Sequence, residues 1–179
     1  MTLRHVNGRP EDSDAPLQTM WEGEYIRAVT RGRWEYVSRV NSSGAAVILA
    51  EHEGKVLLVE QYRVPLGARC LELPAGLVGD EEAHATVEST AIKELEEETG
   101  YTCERVEVLG AFHSSPGMVS ESFTLVRAHG LRKVGEGGGT EHEEIEVYLV
   151  PREEIPAFVA ERRAAGVSID VKLLIFMNF

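Results

Sequence analysis

Four of the five residues from 94 to 98 are glutamate, within the stretch AIKELEEETGY, and a glycine follows two residues on. On a helix, residues at i, i+3 and i+4 share one face, so Glu94, Glu97 and Glu98 present three carboxylates to one small volume. Each like-charge pair at that spacing costs about 0.2–0.5 kcal/mol on an exposed helix, and more where water is partly excluded. A solvated acidic face is the ordinary account of a charge run. The chemical account is a hard divalent cation that neutralises it. Mg²⁺ prefers oxygen ligands and keeps several waters, so three carboxylates on one helical face form half a site that other oxygen ligands complete.

The elements that must position these residues are legible in outline. Ala91, Ile92 and Leu95 suit a helix from about Val87 to Thr99, with Thr86 as N-cap and Gly100 as a left-handed C-cap. Upstream, GEYIRAVTRGRWEYVSRV alternates apolar and polar residues around an Arg-Gly turn, the pattern of a β-ribbon. GAAVILAEHEGKVLLVEQYR holds two apolar runs joined at EHEGK, which predicts a buried hairpin, and a short strand is expected at CLELPA. Beyond the helix, VEVLGAFHSS, SFTLVRAHGL and EIEVYLVP predict three more strands, separated by the turn SPG and the Gly-rich VGEGGGTEHEE. A helix is expected near Arg152 to Ala165, and a last apolar one capped by Asp170 and ending at Phe179. Strands, a helix, more strands and terminal helices make the class α+β, with a mixed sheet between helices.

The chain of 179 residues fits one main domain with a small appended element. Its 18 Lys and Arg against 30 Asp and Glu give a net charge of −12, which argues against nucleic acid or an anionic membrane as partner. An anionic substrate then needs local help, from metal ions or a few arginines. Cys70 and Cys103 lie in no CxxC and near no histidine at zinc-ligand spacing, and are expected to be reduced core thiols. No stretch approaches the 18 uninterrupted apolar residues of a membrane span, and the expected location is cytoplasmic.

Taken together, LPAGL and KELEEETGY resemble the signature of the Nudix hydrolases: Gly, five residues, Glu, seven residues, Arg-Glu-apolar, one residue, Glu-Glu, one residue, Gly-apolar. Glu94, Leu95, Glu97, Glu98, Gly100 and Tyr101 match its second half. Two positions depart from it. Lys93 holds the Arg slot, and the loop after Gly76 is three residues longer than the signature, so the first glutamate is Glu82 counted forward, while counting back gives Gly79 and Ala85. The resemblance implies a Nudix-type α/β/α sandwich over 43–179, with an N-terminal antiparallel β-ribbon over 1–42 for dimerisation and base clamping. It also implies Mg²⁺, with Mn²⁺ as a substitute, held by Glu94, Glu97, Glu98 and the backbone carbonyl of Ala75.

Within that family the chain is most similar to the ADP-ribose pyrophosphatases. The resemblance places Trp34 and Glu35 on the adenine, Arg39 on the diphosphate side and Arg63 on a phosphate. Tyr25 becomes a second aromatic wall opposite Trp34, and Glu121, after the Ser-Pro-Gly turn at Pro116 and Gly117, an acid near the terminal ribose. Glu143 aligns with the catalytic acid of a mobile loop, beside Glu141 and Glu144 with which it can be confused, and Gly137 to Gly139 supply the loop's freedom. An edge-strand Trp, an ordinary hairpin turn and a solvated acidic loop are the competing readings of these three segments. The implied reaction is hydrolysis of ADP-ribose to AMP and ribose 5-phosphate, with Glu97 and Glu98 serving catalysis through the metal, in a homodimer that exchanges its N-terminal ribbons. Another nucleotide sugar such as GDP-mannose, a dinucleoside compound, or a non-catalytic nucleotide-sugar sensor stand as alternatives.

Overall fold

The alternation near the N-terminus folds as a three-stranded antiparallel sheet, β1 (Leu17–Glu22), β2 (Ile26–Arg31) and β3 (Trp34–Arg39). β2 and β3 are the expected ribbon, turning at Gly32, whose φ of +57° suits glycine. β1 has no clear signature in the sequence, because a bulge between Thr19 and Trp21 breaks its period of two and every residue in it is exposed.

The structure, a computed structural model, describes residues 11–41, 44–79, 84–140 and 143–177. These divide into two compact units, one containing the described residues up to Asn41 with Ser115–Glu121, the other containing the remainder. In the first unit, the backbone around Met118 lies along β3: Val37 N–H donates to the Met118 carbonyl at 2.9 Å, and Ser120 N–H donates to the Val37 carbonyl at 3.0 Å. The Ser-Pro-Gly turn is thereby fastened to the ribbon.

The second unit holds β4 (Ala45–His52), β5 (Lys55–Arg63), β6 (Ala68–Glu72), β7 (Ala75–Leu77), α1 (Val87–Thr99), β8 (Tyr101–Thr102), β9 (Arg105–Phe112), β10 (Phe123–His129), β11 (Arg132–Lys133), β12 (Glu146–Pro151), α2 (Ile155–Ala164) and β13 (Ser168–Ile169). Eight of these strands form a sheet in the order β13-β6-β5-β4-β10-β9, with β12 on β5 and β7 on β4. The sheet is mixed: β10 runs parallel to β4 and β13 to β6, and the other pairs are antiparallel.

The expected β4–β5 hairpin is present only at its tip, where Glu51 faces Val56 and His52 faces Lys55. Below that the strands part, β4 towards β10 and β7, β5 towards β12 and β6. Both strands are continuous apolar runs because each is covered on two faces. Val47, Leu49, Val56 and Leu58 pack with Ile155 and Val159 of α2, whereas Ala46, Ile48, Ala50 and Leu57 pack with Ala91 and Leu95 of α1. Helices on both sides of one mixed sheet give the α+β sandwich.

α1 spans the expected residues. Thr86 Oγ1 accepts from Ser89 N–H at 3.1 Å and Ser89 Oγ returns to Thr86 N–H at 2.9 Å, a reciprocal cap, and Gly100 closes the helix at φ +73°. The last segment differs from expectation. Val171–Phe176 is a 3₁₀ helix capped by Asp170, not an α-helix to Phe179; its two buried residues, Leu173 and Phe176, stand three apart, the repeat of a three-residue turn.

Candidate active site

α1 lays its acidic face against the turn at the end of β6. Glu98 is 4 % exposed, and its Oε2 accepts from Ala75 N–H at 3.0 Å. Burial pushes its carboxyl up to about 8; the Ala75 bond opposes this, Glu94 and Glu143 reinforce it, and Arg63 opposes it weakly. Glu94 also lies against the turn: a Cβ on Gly76 would stand 1.9 Å from Glu94 Oε1, so glycine there leaves the Glu94 carboxylate its present place. Glu97 is half-exposed and faces Lys93, one turn earlier, at 4.0 Å. Glu82 lies outside the described residues, as does Glu141.

The segment before Glu143 is built onto the end of α1. Gly138 N–H donates to the Glu98 carbonyl at 2.9 Å and Gly139 N–H to the Glu97 carbonyl at 3.0 Å, while Val134 and Gly135 N–H both reach the Gly100 carbonyl. These satisfy carbonyls that a helix end leaves without intrahelical partners. Glu143 then folds back, its Oε2 accepting from Thr140 N–H at 3.1 Å and Thr140 Oγ1 at 3.2 Å. Glu144 is exposed beyond it.

Arg63, at the end of β5, is held by a bidentate pair: Nε to Glu72 Oε1 at 2.6 Å and Nη2 to Glu72 Oε2 at 2.9 Å. Glu72 is buried, and its bonds raise the Arg63 pKa further. The guanidinium is therefore fixed in place, with Nη1 uncommitted to Glu72. Sequence reasoning missed Glu72, nine residues downstream of Arg63, because their meeting depends on the β5–β6 register.

The other expected substrate residues lie in the first unit. Trp34, 52 % exposed, lines a cavity of about 340 Å³ with Tyr36, Arg31, Asp12 and the Pro116–Gly117 turn. Tyr36 shares that face because it stands two residues along the strand, a period that could have found it. Tyr25 and Glu35 are exposed and outside this lining. Arg39 donates through Nε to Glu121 Oε1, so the two form an ion pair.

Among the described residues, no three acidic, histidine or cysteine side chains are gathered tightly enough to enclose an ion by themselves. The donor set still suits Mg²⁺, which takes few protein ligands and retains water. A buried carboxylate with two further carboxylates beside it is the charge pattern that such a cation relieves.

A model of the NUDIX domain matches residues 40–168, which include the whole acidic helix, the Ala75 turn and Glu143. The chain belongs to the Nudix family. It is similar to the methanol dehydrogenase activator of Bacillus methanolicus, 39 % identical over 119 residues, covering 66 % of this chain and 63 % of that protein. It is also similar to an ADP-ribose pyrophosphatase of Bacillus subtilis, 37 % identical over 125 residues, covering 69 % of this chain and 66 % of the relative. The matches thus span slightly under two thirds of these two relatives. A crystal structure of an ADP compounds hydrolase shares the fold with a TM-score of 0.68, at 19 % identity, covering 90 % of this chain and 89 % of the other.

Proposed function

We propose that the protein hydrolyses the pyrophosphate bond of a nucleoside diphosphate sugar, with ADP-ribose as substrate and AMP and ribose 5-phosphate as products. The observation that carries this reading is the buried Glu98 carboxyl, with Glu94 and Glu143 near enough to oppose its ionisation and Ala75 bonded to it. The name of the Bacillus subtilis relative supports the choice of substrate.

Glu94, Glu97, Glu98 and the Ala75 carbonyl would hold Mg²⁺, or Mn²⁺ in its place; when bound, the ion neutralises phosphate charge and makes water more acidic. Glu143 accepts the proton of the attacking water as its oxygen bonds to phosphorus and the P–O–P bridge breaks, the electron pair leaving with the second phosphate. Arg63, clamped by Glu72, offers its remaining donors to the diphosphate without first having to be ordered. In the first unit, Trp34 and Tyr36 present aromatic faces to the base, and Arg39 and Glu121 lie on the same unit for the diphosphate and sugar. The functional molecule is a homodimer exchanging its N-terminal ribbons.

Turnover of ADP-ribose with product identification tests the reading. We expect Mg²⁺-dependent release of AMP, and a loss of roughly 100-fold or more in kcat for Glu98→Gln and for Glu143→Gln. Unchanged rates in Glu98→Gln would remove the metal assignment, and unchanged rates in Glu143→Gln would remove the base. A panel including GDP-mannose and a dinucleoside polyphosphate distinguishes the other substrates. Binding without turnover would indicate a sensor.

A further inference from the structure

The Gly-rich segment invites reading as a hinge, but Gly137, Gly138 and Gly139 each have a different and restrictive reason to be glycine. A Cβ on Gly137 would stand 2.4 Å from the Thr99 carbonyl carbon and 2.7 Å from the Glu98 carbonyl oxygen, so the backbone here lies directly on the end of α1. Gly138, at φ +107°, occupies a conformation that side-chain-bearing residues rarely adopt, and from it donates to Glu98 and accepts from Ile145 N–H at 3.2 Å. A Cβ on Gly139 would meet Glu143 Cβ at 2.8 Å and Ile145 Cδ1 at 2.9 Å. From the helix side, a Cβ on Gly100 would fall 2.3 Å from the Gly135 carbonyl oxygen.

From this geometry we infer that Gly135–Gly139 is a clasp that locks Glu143 to the helix bearing the metal-ligand glutamates, making Gly137, Gly138 and Thr140 positioning residues for the reaction. The inference rests on the assignment of Glu143 as the base. The Gly138 and Gly139 amides bond the backbone carbonyls of Glu98 and Glu97, the residues whose side chains would hold the ion, and four residues after Gly139 the chain delivers Glu143. Thr140 fixes the carboxylate through one oxygen and leaves the other available. Displacing a base by about 1 Å can cost roughly 100-fold in rate, so a rigid link of this kind sets kcat more than substrate binding.

Three measurements on the intact 179-residue chain test the clasp. In the wild type, the Gly138 and Gly139 amides should exchange with deuterium as slowly as those of a packed element, and Gly137→Ala should speed both by about tenfold or more. Gly137→Ala should lower kcat by roughly 10- to 100-fold while KM stays within about twofold. Combined with Glu143→Gln, it should cause no further loss beyond about twofold, because both changes act through one carboxylate. If Gly137→Ala fails to fold, Thr140→Ala takes its place. It removes the hydroxyl bond to Glu143 without straining the backbone, so it should lower kcat while Gly138 stays protected. Fast amide exchange in the wild type, or losses that multiply in the double variant, would overturn the proposal. Full activity of Glu143→Gln would refute the base instead, and amide exchange would still decide whether the clasp exists.

Discussion

Glu98 has to be buried to reach the turn at Ala75, and burial opposes its charge. Its carboxyl titrates near 8, against an ordinary value of 4.5. Between these two values the unfolded chain loses the proton before the folded one does, so without metal this group makes stability fall as pH rises from about 4.5 to 8, and the loss persists above that. Glu98→Gln removes the charge and keeps an oxygen for the Ala75 N–H. Without metal above pH 8 it should therefore melt higher than the wild type, each kcal/mol recovered giving about 2–4 °C in a chain of this size. The same variant should lose the rise in melting temperature that Mg²⁺ gives the wild type, a comparison that scanning calorimetry makes directly. An unchanged or lower melting temperature without metal would show that Glu98 carries no such cost. The glutamate trio was legible because helical spacing is a local property. The Arg63–Glu72 pair was not, since strand register brings together residues that no local pattern connects.

At the scale of elements, α1 could be read from the sequence with both of its caps, because Thr86, Ser89 and Gly100 act within a turn of the helix ends. β8, β11 and β13 are two residues each, too short to show any period. The splaying of β4 from β5 depends on β10 and β12, which arrive far later in the chain. A buried ionic cluster escaped for the same reason: Glu60 of β5, with no exposed surface, is bonded by Arg69 at 2.8 Å and by Arg162 of α2 at 2.6 Å. β1 carries a prediction of its own. Leu17, Met20 and Trp21 are exposed on it, an apolar surface suited to a second copy of the chain. Met20→Glu should shift sedimentation from dimer towards monomer at micromolar concentration. A monomeric wild type, or a variant that remains dimeric, would contradict the exchange of ribbons.

Across the whole molecule, the net charge of −12 repels a diphosphate, and α1, where the reaction is proposed, itself carries four glutamates within five residues. Among the described residues no helix is long and apolar enough to cross a membrane. Everything then turns on whether cations reverse the sign of the field at α1. Anomalous diffraction from crystals holding Mn²⁺ and a non-hydrolysable ADP-ribose analogue shows this most directly. Manganese peaks are expected against the carboxylates of Glu94, Glu97 and Glu98, with diphosphate oxygens among the remaining ligands. A bound analogue with no manganese at those three side chains would contradict this.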